Sequence, residues 1–115
     1  MQYVMFVVVD PDGEPYVAAD DDYAQWDADL EERGVMLDKR RLRPADEATT
    51  VRVRGGELVV TDGPFTESKE WIAGFAVLDC ADLDEAIAIA RTHAMARFGR
   101  IELRPLAQAN GEALA

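Results

Sequence analysis

Two stretches of this chain carry no charged side chain on either face. Residues 3–9 read Y-V-M-F-V-V-V and residues 71–78 read W-I-A-G-F-A-V-L. β-Branched and aromatic residues at this density favour extended backbone, and a strand without polar alternation needs cover on both faces. The rest of the chain offers only two helical patterns. Two helices cover one face of a sheet and leave the other open. Soluble proteins avoid a bare apolar sheet face, so a homodimer is expected, with two copies packed sheet against sheet.

The other elements can be read in order. Asp10-Pro11-Asp12-Gly13 has turn chemistry, and the residues on to 19 read as loop. The carboxylates of Asp20, Asp21 and Asp22 favour a helix start. Tyr23, Trp26 and Leu30 recur at helical spacing before Gly34, which predicts a helix over 22–33. A short strand is expected at 35–37. Within 49–61, T-T-V-R-V-R and E-L-V-V-T flank Gly55-Gly56, the pattern of a two-residue hairpin. Counting outward pairs Arg54 with Glu57, Val53 with Leu58 and Val51 with Val60, giving one apolar face and a cross-strand ion pair on the other.

Asp82 and Glu85 form a capping-box pattern for a second helix. Its expected buried stripe is Leu83, Ala86, Ile87, Ala90 and Ala94, and it should stop by Gly99. Residues 100–106 alternate and meet Pro105, which predicts an edge or terminal strand. The order strand, helix, strands, helix, strand is the split β-α-β pattern of a ferredoxin-like α+β fold with an added hairpin. Residues 1–106 read as one domain and 107–115 as a short tail.

Composition excludes some functions. The formal net charge of −11 opposes binding to nucleic acid or an anionic membrane. A single cysteine, Cys80, permits no internal disulfide and reads as a small buried hydrophobe. No basic leader or long apolar run is seen at the start, so a cytoplasmic protein is expected. Against this acidity, Lys39, Arg40, Arg41, Arg43, Arg52 and Arg54 gather six of the twelve basic residues. They read either as a solvated run or as a receiver for an anion.

Residues 61–75, T-D-G-P-F-T-E-S-K-E-W-I-A-G-F, join the hairpin to the second apolar strand. Gly-Pro stiffens this turn, and Asp62 can bond backbone amides two residues on. Asp62, Glu67, Lys69 and Glu70 are more ionisable groups than a plain loop needs. Asp62 and Glu70 are the acid–base candidates if the group lines a pocket, and an ion-pair network that locks the loop is the other reading. Arg52 or Arg104 could hold an anion, and Glu67, Lys69, Trp71 and His93 complete the candidate ligand set. For His93 the expectation is a partly exposed imidazole near a helix C-terminus. Gly74 suggests close approach by a backbone or a ligand. No nucleophile with a base, phosphate loop, zinc set or cofactor motif stands out, so neither metal nor cofactor is expected.

The run D-G-P-F-T-E-S-K-E, with Gly74 downstream and I-E-L-R-P near the end, resembles the signature of the DGPF branch of the YCII-related proteins. That resemblance implies a dimeric α+β barrel of ferredoxin-like halves. In the wider group, which is similar in fold to muconolactone isomerase, a His–Asp pair has been proposed as an active site. Here the first helix carries Tyr23 and Trp26 but no His, and His93 has no Asp beside it in sequence, so the pair does not carry over. The DGPF branch is often linked to sigma factors of the extracytoplasmic-function type, which implies a regulatory partner. Two functions stay open: a homodimer that binds or transforms a small polar or anionic molecule by acid–base chemistry at the DGPF loop, and a non-catalytic regulatory partner.

Overall fold

A computed structural model describes residues 1–63 and 71–108. Six strands and three helices follow one another as β1 (Gln2–Val9), α1 (Tyr23–Arg33), β2 (Met36–Arg41), β3 (Thr49–Arg54), β4 (Glu57–Asp62), β5 (Trp71–Asp79), α2 (Leu83–Ala90), α3 (Met95–Phe98) and β6 (Arg100–Pro105). Four strands form one sheet in the order β2-β5-β1-β6, and β3 and β4 form a sheet of their own. Every pairing is antiparallel. This α+β arrangement is consistent with a ferredoxin-like fold. The two apolar stretches become the central strands, where no edge is left for water.

The helices pack on one face. Tyr3, Met5, Ala76 and Leu78 of the central strands meet Trp26 and Leu30 of α1 and Ala86, Ile89 and Ala90 of α2 in the core. On the opposite face Val4 lies beside Val77 and Phe6 beside Phe75, and all four are only half-buried. The described chain therefore completes one apolar layer and leaves a second one partly open.

Local signals explain most boundaries. Gly34 ends α1 in the left-handed region, at φ 68°. Asp82 caps α2 by accepting the Glu85 N–H at 2.9 Å. Gly55 and Gly56 both have positive φ, as a type I′ hairpin requires, and the register is the counted one.

Some expectations need correcting. No Arg54–Glu57 ion pair forms; the Arg54 guanidinium donates to the Val53 carbonyl at 2.9 Å. Asp22 precedes α1, yet its side chain makes no cap bond, and Asp21 takes the Tyr23 N–H instead. In α2, Leu83 and Ile87 are exposed and Ile89 is buried, because the helix turns its Ala86–Ile89–Ala90 side to the sheet. The strand expected at 35–37 runs on through the basic residues to Arg41, since pairing with β5 supplies the hydrogen bonds that the local sequence did not advertise.

Candidate functional site

An open cavity of about 550 Å³ lies between the helix-covered sheet face, α1 and the chain that follows α2. β1 and β5 lend it Met5, Val7, Gly74 and Ala76. Gly74 is required there because a Cβ would sit 2.8 Å from the Arg40 carbonyl oxygen. The approach that its position in a strand suggested is thus to backbone. Tyr23 and Trp26 come from one side of α1, and the Trp26 Nε1–H is fixed by the Ile89 carbonyl at 3.1 Å.

His93 is the central polar group of this cavity. It was expected to be partly exposed, but it is 5% exposed and turned inward. The cause is local: α2 stops at Ala90, and the His93 N–H bonds the Ala90 carbonyl at 3.0 Å in a tight turn that carries the ring under α1. Trp26 meets the imidazole edge-on with ring centres 4.7 Å apart, and Tyr23 does so at 5.4 Å. The Met95 N–H donates to Nδ1 at 3.0 Å. Nδ1 must then be unprotonated, and the neutral ring carries its proton on Nε2. Burial pushes the His93 pKa down, opposed by Asp21 and Asp22, so at neutral pH the group is a fixed neutral donor.

Asp21 lines the same cavity, on the loop that enters α1. Its Oδ2 accepts the Tyr16 hydroxyl at 2.7 Å and its Oδ1 accepts the Tyr23 N–H at 3.2 Å. These two bonds hold the carboxyl below its ordinary range, and the same contact with Asp21 raises the Tyr16 pKa. At neutral pH the pair is a carboxylate with both oxygens engaged and a protonated phenol. His93 and Asp21 are far apart in sequence and near enough in space to influence one another electrostatically.

Lys39, Arg40 and Arg41 of β2 border the cavity, Lys39 and Arg41 on its face of the sheet and Arg40, opposite Phe75, with its side chain on the other. Lys39 is paired with Asp27, which raises its pKa. Arg40 stands 3.8 Å from Asp38. Among the described residues no carboxylate forms an ion pair with Arg41. Arg41 also lines a second, more open depression of about 500 Å³ together with Trp71, Arg43 and Pro44.

The other sequence candidates lie elsewhere. Arg52 and Asp62 are on the β3–β4 hairpin. Arg104 is on β6 opposite Val4, on the sheet face without helices. Trp71 belongs to the second depression, and Glu67, Lys69 and Glu70 lie outside the described residues. Of the described candidates, His93 alone lines the larger cavity. Asp21, Tyr16 and Tyr23 escaped notice as site residues because helix-start chemistry and helical spacing already accounted for two of them. Among the described residues no cluster of His, Cys, Asp and Glu could hold a metal ion. No described helix is long and apolar enough to cross a membrane. Cys80 is buried, and burial raises its thiol pKa, as an inert core residue would show.

The family model of the YCII-related domain matches residues 1–110. The chain belongs to the YCII-related family. It is also 46% identical over 78 residues to an uncharacterised protein of Rhizobium meliloti (strain 1021), a match covering 66% of this chain and 63% of the relative. The match therefore spans less than two thirds of that relative's length. The relative's name assigns no activity, so the chemistry of this YCII-related chain has to be argued from its own cavity.

Proposed function

We propose that this YCII-related protein is a homodimeric small-molecule-binding protein whose ligand occupies the cavity around His93. The observation that carries the reading is the buried imidazole, with Nδ1 occupied by the Met95 N–H and no described group accepting from Nε2. A cavity of this size with few convergent polar groups is the usual form of a ligand site. Binding is favoured over catalysis within the cavity. His93 has no free basic nitrogen, and Asp21 is held ionised with both oxygens engaged, so neither is poised to take a proton near pH 7. A metabolite library screened by thermal shift tests the reading. Compounds should stabilise the wild type and lose that effect in His93→Gln. Equal shifts in both proteins would remove His93 from the site.

Acid–base chemistry at Asp62 and Glu70 would be a further step on a bound ligand, and it stands as a separate proposal. Asp62→Asn should then abolish turnover of a compound that still binds; unchanged turnover would count against it. The dimer is supported by the half-open face of Val4, Phe6, Phe75 and Val77. Light scattering at micromolar concentration should give twice the chain mass, and a monomer there would remove the sheet-to-sheet packing. The regulatory reading, with an extracytoplasmic-function sigma factor as partner, draws on the hairpin. Val51, Val53, Leu58 and Val60 line one exposed face of it, which could meet another protein. Loss of a sigma-factor contact in Leu58→Asp, with ligand shifts intact, would support that role.

A further inference from the structure

The hydrogen-bonding inventory of the cavity is one-sided, and this selects the charge of its ligand. The acceptors are few. Asp21 is the one carboxylate among the described lining residues, and each of its oxygens already takes one bond, from the Tyr16 hydroxyl and from the Tyr23 N–H. The donors are more open. His93 has an Nε2–H with no described acceptor, and Arg41 has no ion pair among the described residues. Lys39 adds positive charge from the same face of the strand, although Asp27 engages it, whereas Arg40 pairs with Asp38 on the other face. A cationic ligand would meet the Lys39 and Arg41 side chains and would have the already bonded Asp21 as its one carboxylate among the described lining residues. An anion finds an Arg, whose planar fork matches a carboxylate in two bonds. The body of the ligand faces a different surface, because Met5, Val7, Tyr23, Trp26 and Met95 supply aliphatic, thioether and aromatic contacts.

We infer that the ligand is a small monocarboxylate with a flat apolar body, its carboxylate held by Arg41 and the Nε2–H of His93 and its body lying against Tyr23 and Trp26. This rests on the cavity reading above and adds charge and shape to it. The donors also explain how so acidic a protein, with a formal net charge of −11, would admit an anion. Lys39 and Arg41, alternate residues on the helix-covered face of β2, make a local positive rim where the bulk field is repulsive.

The test compares benzoate, benzamide and benzamidine, which share a ring and carry charges of about −1, 0 and +1 at neutral pH. Trp26 emission reports binding in a Trp71→Phe background, which removes the tryptophan of the other depression. Benzoate should bind at least about ten-fold more tightly than benzamide, the difference expected of a charge-assisted pair, and benzamidine should bind more weakly still. Arg41→Gln should bring benzoate and benzamide to within about two-fold of each other, and Arg41→Lys should restore part of the preference. Arg41 is exposed, so neither variant threatens the fold. Benzamide or benzamidine binding as well as benzoate would overturn the charge assignment while leaving the cavity a ligand site. An unchanged preference in Arg41→Gln would do the same. If none of the three alters Trp26 emission up to about 10 mM, the flat monocarboxylate is overturned, and the cavity reading then stands or falls with the library screen in wild type and His93→Gln.

Discussion

The central strands and the β3–β4 hairpin use similar side chains in similar in-register antiparallel pairs, with opposite results. Tyr3 lies beside Leu78 and Met5 beside Ala76, and helices seal them, so Leu78 is 0% exposed. Val53 lies beside Leu58 and Val51 beside Val60 in the hairpin, where Leu58 is 67% exposed. The difference is not local. Cross-strand pairing sets which side chains share a face, but a covering layer decides whether that face is dry. Among the described residues the helices lie on one sheet face and none covers the hairpin. The helix-covered side is where it builds a core and a cavity by itself, while the hairpin and the helix-free sheet face present apolar surface outward.

The sharpest way to break this contrast is paired truncation. Leu78→Ala should cost about 2–5 kcal/mol by loss of buried contacts and creation of a cavity. Leu58→Ala should stay within about 0.5 kcal/mol, as exposed positions do. Urea unfolding of both variants reads the difference directly. A large cost for Leu58→Ala would mean that the hairpin face is covered in solution, by a second copy or by another protein.

Smaller effects sharpen the sealed side. Trp26→Phe keeps the ring packing but loses the bond to the Ile89 carbonyl. That oxygen retains the Thr92 hydroxyl at 2.7 Å and the Thr92 N–H at 3.2 Å, so the loss should be only about 1–2 kcal/mol in urea unfolding. Asp82→Ala removes the α2 cap and should cost about 1 kcal/mol. A null result there would mean that packing of Ala86, Ile89 and Ala90 alone sets the helix start.

The pH profile gives the gentlest probe. The folded pKa of His93 is lowered below its ordinary 6.5 by burial. As pH falls through 6.5 the unfolded chain takes the proton first, so stability should decline until the folded imidazole titrates, and should be flat just above 6.5. His93→Gln should remove that slope. Asp10 and Asp21 act in a lower window. Their folded pKa values lie below 3.8, so their contribution is lost only as pH falls from about there.

Much of the fold was legible because it depended on strong local signals. Gly55-Gly56 specified the hairpin and its register, Gly34 and Asp82 marked helix ends, and the unpatterned apolar runs marked the central strands. What escaped were features set by tertiary contact. β2 reads as a basic run until β5 pairs with it, and Ile89 displaces Ile87 from the core through helix rotation. The site was harder still. Asp21 and His93 are separated by most of the chain, and only the turn after Ala90 brings the imidazole to the loop that enters α1. Asp21 had a sufficient explanation as helix-start chemistry, and Arg41 as part of a solvated run, so neither residue type nor spacing singled them out.

The central claim is that His93 is a neutral Nε2–H donor in a ligand cavity. His93 is the one histidine of the chain, so long-range ¹H–¹⁵N NMR of the imidazole reads it without assignment. The account predicts a neutral ring at pH 7 with the proton on Nε2, a titration midpoint below 6.5, and movement of the Nε2 resonance when benzoate is added. A ring protonated on Nδ1, or one titrating at or above 6.5 and indifferent to benzoate, would contradict it.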